Sequence, residues 1–153
     1  MKDNELGDLL NKAVESSGRG RVVAALESLA VGAAREEGVL TIVANAGIHA
    51  VPRSFLRGEV YEASRGDWDA SSEEALRLEL RTLLYGVVNK LKSEHWKRVY
   101  LIPTGHPILS LQIKVMVYRI LRLNTIDLYY KAGSYFEVDL DQRAIALSEK
   151  DHA

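Results

Sequence analysis

Apolar residues recur along the chain with two different periods, and the change of period divides it. Leu6, Leu9, Leu10, Ala13 and Val14 fall at helical spacing with Asp8, Lys12 and Glu15 between them, which predicts a helix over 4–17. Ser16-Ser17-Gly18 interrupts it. Val22, Val23, Ala25, Leu26, Leu29, Ala30 and Ala33 predict a second helix from Arg21 to Arg35, with Gly38 suited to its C-terminal cap. Residues 1–37 thus read as a helical arm, rich in alanine and without an aromatic side chain. Beyond it the period shortens. Val39-Leu40-Thr41-Ile42-Val43-Ala44 is a continuous apolar, β-branched run, the mark of a strand buried on both faces. Two weaker extended pieces follow, Ile48–Val51 and Gly58–Ala63, and then a loop at 64–67.

Helical spacing then returns. Ser71-Ser72-Glu73-Glu74 reads as a capping box that opens a helix running to Glu94, striped by Leu76, Leu80, Leu83, Leu84, Val87, Val88 and Leu91. Val99–Ile102 is a second buried strand. After Pro103-Thr104-Gly105-His106, Pro107 at a first helical position opens a helix to Leu123. This helix is apolar nearly all round, so it is predicted to lie sandwiched between other elements. Thr125–Tyr130 is a third strand, Ala132-Gly133-Ser134 a turn, and Tyr135–Leu140 a half-buried antiparallel edge. Gln142–Ala153 reads as a loosely held tail. Strands separated by helices predict a Rossmann-like three-layer α/β sandwich over 38–141, mostly parallel with one antiparallel edge strand, preceded by the two N-terminal helices.

Composition narrows the function. Of 153 residues 47% are hydrophobic and 27% charged, enough to fill one core and coat it. There is no cysteine, which removes disulfides, thiolate metal sites and a thiol nucleophile. A net charge of -1 argues against general DNA or RNA binding. No apolar run is long enough to span a bilayer, and the polar start Met1-Lys2-Asp3-Asn4-Glu5 is unlike a signal peptide, so a cytoplasmic protein is expected. No two histidines have metal-ligand spacing, and neither a dinucleotide fingerprint nor a phosphate-binding loop occurs; no metal or cofactor is expected.

In open α/β sheets ligands collect beyond the carboxyl ends of the parallel strands. Two turns fall there, Asn45-Ala46-Gly47-Ile48-His49 and Pro103-Thr104-Gly105-His106. The second opens a helix whose free N–H groups attract anions. The expected ligand-binding residues are Asn45, Gly47, His49, Arg53, Thr104, Gly105, His106, Ser110 and Lys114. Gly105 would let a ligand approach the backbone, Thr104 and Ser110 would add hydroxyls, and Lys114 lies one turn beyond Ser110. Arg53 and Arg57 follow the first loop, where they could touch phosphate. Tyr129, Tyr130 and Tyr135 read first as packing, with Tyr130 or Tyr135 as a stacking surface for a base. His49 and His106 invite an acid–base reading, but neither loop holds a carboxylate to orient them.

From Val39 to Leu140, about two-thirds of the chain, the layout resembles the SAVED domain, a relative of the CARF domains of CRISPR immunity. Val39-Leu40-Thr41-Ile42-Val43 leading into Ile48-His49-Ala50-Val51-Pro52 is similar to that family's first strand and second extended piece. Arg98-Val99-Tyr100-Leu101-Ile102-Pro103-Thr104-Gly105-His106-Pro107 is similar to its apolar strand, small-residue turn and apolar helix. Ile126-Asp127-Leu128-Tyr129-Tyr130 and Tyr135-Phe136-Glu137-Val138-Asp139-Leu140 look like its closing hairpin. The resemblance implies a sensor or adaptor module that binds a cyclic oligonucleotide second messenger in prokaryotic antiphage signalling. Family members usually pair this unit with a second related half and an effector. A single unit therefore implies self-association, ligand-promoted in one version, or a separate effector protein. Two alternatives accompany this reading. One is a small phosphodiesterase that opens the cyclic ligand with His49 or His106; the other is a protein-interaction adaptor with no small ligand.

Overall fold

The computed structural model describes residues 3–23 and 36–148. The chain divides into two units, Met1–Arg35 and Glu36–Ala153. In the first, helix α1 spans Asp3–Ser17, with Leu10, Ala13 and Val14 half-buried and Leu9 exposed. Gly18 breaks it at a φ of +81°, and its N–H still reaches the Val14 carbonyl at 2.9 Å. Residues 19–23 are helical again. The rest of the helix predicted to Arg35 lies outside the described residues, as does the end of the tail from 149 onward.

The second unit is an α/β fold around a five-stranded sheet. Its elements are β1 (Val39–Val43), β2 (Glu59–Glu62), α2 (Glu73–Ser93), β3 (Arg98–Ile102), α3 (Pro107–Leu121), β4 (Ile126–Lys131), β5 (Ser134–Val138) and α4 (Gln142–Leu147). The strand order is β2-β1-β3-β4-β5. The first four strands are parallel, and β5 runs antiparallel to β4, as the sequence pattern predicts. The fully buried runs Val39–Val43 and Val99–Ile102 belong to β1 and β3, adjacent interior strands covered on both faces, which explains why neither alternates apolar with polar.

Helices α2 and α3 share one face of the sheet. Val87 and Leu91 from α2 and Leu109, Ile113 and Val117 from α3 bury against Leu40, Ile42, Val99 and Leu101. The opposite face carries Val43, Ile102 and Leu128, covered by Val51, Phe55, Leu56 and Tyr135. The layer here is therefore irregular chain with a 3-10 turn at Arg53–Phe55 rather than an α-helix. It is also the link from β1 to β2. The chain leaves β1 toward one side, then returns past it to β3 on the other. Right-handed crossovers then require the first link and the helical links to occupy opposite faces, as they do. The point of reversal lies between β1 and β3.

Several expectations need correction. The extended piece expected at Ile48–Val51 forms no strand; beyond the ends of β1 and β2 only Ala46 and Arg65 meet, as an isolated parallel bridge. The helix cap is Ser72, whose side chain accepts from the Ala75 N–H, while the Ser71 hydroxyl turns away to donate to Asp69. Within the expected tail, residues 142–147 form a short helix capped by Asp141, whose carboxylate accepts from the Ala144 N–H at 2.9 Å, with every side chain exposed. Helix α3 is not sandwiched. Ile108, Leu111, Val115 and Tyr118 are 41–62% exposed along one flank. An all-round apolar sequence shows that a helix can be buried; only the neighbouring layers decide which sides are.

Candidate functional site

The reversal point brings together the two turns that the sequence singles out, Asn45–Gly47 after β1 and Pro103–His106 after β3. They are tied to each other. The Thr104 hydroxyl donates to the Asn45 carbonyl at 2.6 Å and accepts from the Asn45 N–H at 3.1 Å. The Asn45 amide donates to the Gly66 carbonyl at 2.9 Å, and its buried Oδ1 has no partner among the described residues. Asn45 and Thr104 are both buried, so their polar groups serve the joint between the turns. Gly105 belongs to the same joint. It holds a φ of +80°, and a Cβ there would stand 2.6 Å from the Asn45 Cβ. The glycine is needed for Asn45 to fit, which is a different reason from ligand approach.

Beside this joint opens a cleft of about 770 Å³, lined by His49, Ala50, Ile102, Pro103, Thr104, Gly105, Leu128, Tyr129, Tyr130 and Tyr135. It sits at the carboxyl ends of β3 and β4, on the face away from α2 and α3. Its wall is aromatic. The Tyr130 and Tyr135 ring centroids are 5.1 Å apart, and Phe55 backs Tyr135 at 5.3 Å. The hairpin turn causes this pairing, because β4 and β5 register Tyr130 opposite Tyr135. Tyr130 remains 59% exposed, so a ring face is available at the cleft. No carboxylate lines it, and His49 is its one titratable side chain besides the tyrosines.

The remaining expected residues scatter. His106 is exposed but stacks on Trp68 at 4.6 Å and does not line the cleft, so the structure does not assemble the two histidines into one wall. Trp68, held through its indole N–H to the Ser64 hydroxyl at 3.4 Å, belongs to no motif in the sequence; an aromatic residue in a polar loop is its one signal there. Ser110 and Lys114 lie on the helix side, around a separate cavity of about 360 Å³ with Pro103, Pro107, Leu111 and Asp127. The Ser110 hydroxyl is buried there without a partner among the described residues. Lys114 is ion-paired to Asp127, which also accepts from the Thr125 hydroxyl at 2.6 Å. Gly47 and Arg53 are exposed near the first turn and line neither cavity. Arg57 is committed elsewhere: it bridges to Glu137 at 2.6 Å and lies 5.3 Å over the Tyr100 ring.

Among the described residues no group of His, Asp or Glu is placed to hold a metal ion, and no helix is long and apolar enough to cross a membrane. What the cleft offers is two phenol rings packed at a tilt of 55°, an imidazole and the backbone edge of 103–105. Such a surface suits a flat, polar-edged ring better than a highly charged group. No protein-family model, no curated protein and no solved structure matches the chain.

Proposed function

We propose that residues 36–148 form a non-enzymatic binding module for a cyclic oligonucleotide, a sensor or adaptor of prokaryotic antiphage signalling working in the cytoplasm. One base of the ligand stacks on the exposed ring of Tyr130, which Tyr135 supports at a tilt, and its polar edge meets His49 and the Thr104–Gly105 backbone. The observation that carries this reading is the tyrosine-walled cleft at the carboxyl ends of the parallel strands, the location where open α/β sheets take ligands. The resemblance to SAVED domains supports the ring-shaped ligand class. The absence of a carboxylate beside His49 in the cleft favours binding over hydrolysis, since an imidazole alone lacks the partner that would orient it. The phosphates of the ring extend past the cleft toward solvent, where Arg53 on the exposed 3-10 turn is the nearest expected cation in sequence.

The test incubates the full chain with cyclic di-, tri- and tetranucleotides, reading melting temperature and the integrity of the nucleotide together. A raised melting temperature with intact ligand is expected. Tyr130→Ala should then weaken binding by about 1–3 kcal/mol, the worth of one stacked base. Linear products would assign the protein to the phosphodiesterases instead, with His49 as the first residue to replace. No shift with any member of the panel would leave the adaptor reading.

A further inference from the structure

The two edges of the sheet are finished differently. Edge strand β2 is short, Glu59-Val60-Tyr61-Glu62, and carries a carboxylate at each end. Glu59 is paired with Lys90 and Glu62 with Arg65, so the edge is bordered by fixed charges. Such charges discourage another strand from pairing. Edge strand β5, Ser134-Tyr135-Phe136-Glu137-Val138, holds one charge only. Glu137 is drawn back by Arg57 at 2.6 Å on the face away from the helices. No lysine, proline or bulge protects this edge.

The hairpin turn fixes which backbone groups β5 offers. Ala132 and Gly133 both have positive φ, +50° and +85°, a type I′ turn. Lys131 and Ser134, which flank it, are then a hydrogen-bonded pair, and pairing alternates along the ladder. The N–H and C=O groups of Ser134, Phe136 and Val138 point to β4. Those of Tyr135 and Glu137 point outward, and among the described residues they meet no backbone partner.

We propose that β5 is the self-association edge of this protein, pairing antiparallel with β5 of a second copy about a two-fold axis at Phe136. In that register Tyr135 of one copy faces Glu137 of the other, and each such pair exchanges two backbone hydrogen bonds through the groups that point outward. Phe136 faces Phe136 as a non-bonded pair, where side chains approach most closely. Its ring is 53% exposed on the helix side, beside Tyr129, which is 58% exposed. The pairing covers both. A second copy fits because this register opposes no like charges and uses the whole strand; an axis at Glu137 would set two carboxylates face to face. The two β5 strands run in opposite directions, so the two tyrosine clefts fall at opposite ends of a continuous ten-stranded sheet. The association rests on none of the ligand assignments above.

The chain has no cysteine, which makes the test direct. Sedimentation of the full chain is expected to show a concentration-dependent monomer–dimer equilibrium without any nucleotide. Phe136→Lys, at an exposed position, places two ammonium groups at the axis. It should raise the dimer dissociation constant about ten-fold or more while leaving the melting curve of the monomer intact. Phe136→Cys carries a single thiol per chain and should form a disulfide-linked dimer under mild oxidation, at rates far above those of Ser148→Cys. This second variant keeps the proposal falsifiable if the lysine variant fails to fold. A wild-type chain that stays monomeric at high concentration would overturn the proposal. So would a Phe136→Cys thiol that crosslinks no faster than the Ser148→Cys control. A dimer abolished by Leu111→Glu but not by Phe136→Lys would move the interface to the flank of α3 and overturn it equally.

Discussion

Gly105 shows how one residue can look functional for a structural reason. Its missing Cβ accommodates Asn45, and its positive φ is a conformation that other residues adopt at a cost. Gly105→Ala is expected to lower stability by about 2 kcal/mol or more through the clash and the backbone strain together, read as a shifted denaturation midpoint. Loss of ligand binding in that variant would therefore report the joint between the turns. Tyr61 offers a second test at this scale. Burial raises its phenol above the ordinary tyrosine value of 10.0, and the neighbouring Lys90 ammonium opposes the rise only in part. The folded state thus holds this proton more tightly than the unfolded chain. Its contribution is fully present below the unfolded value and is lost as pH rises through the folded one. Denaturation midpoints should fall as pH passes about 10, and Tyr61→Phe should fall less steeply.

At the scale of elements, the β4–β5 hairpin is close to an ideal turn but for one residue. Ala132 occupies the left-handed region that Asn or Gly fills more readily. Ala132→Asn is expected to stabilise the protein by about 1 kcal/mol, seen as a raised melting temperature. The clasp between α3 and β4 gives a contrasting expectation. Lys114 is spent on Asp127, across the sheet from the tyrosine cleft. Lys114→Ala should cost stability by less than about 1 kcal/mol and leave nucleotide affinity unchanged, by titration calorimetry. The elements themselves were legible in the sequence where pattern alone determines them. The runs at 39–44 and 99–102 are rich in apolar and β-branched residues with no charge among them, and Pro107 marks a helix start. The helical turn at 142–147 was missed although Asp141 supplied a capping signal three residues before Ala144. The exposed flank of α3 was not legible, because whether a layer lies over Leu111, Val115 and Tyr118 depends on the rest of the fold.

For the whole molecule, topology rather than motif made the meeting of the two turns readable. The order of strands and helices places the turns after β1 and β3 at one edge, and both turns are there, bonded through Asn45 and Thr104. Which side chains share a cavity could not be read in the same way. His49, Tyr130 and Tyr135 line the cleft away from the helices, Ser110 and Lys114 the cavity on the helix side, and their sequence spacing is blind to that division. The interior position of β1, between β2 and β3, carries a further consequence, for the order of events in folding. Its neighbour β2 arrives within the next stretch of chain, but its other neighbour, beginning at Arg98, comes only after α2. The ladder on that side must close a long loop before it returns any stabilisation. The β4–β5 hairpin closes over two residues and waits for nothing. Val99→Ala and Val138→Ala should therefore both slow refolding, the hairpin being in place when the long loop closes, and stopped-flow chevrons read this directly. A Val138→Ala chain that refolds at the normal rate and only unfolds faster would place the hairpin after the rate-limiting step.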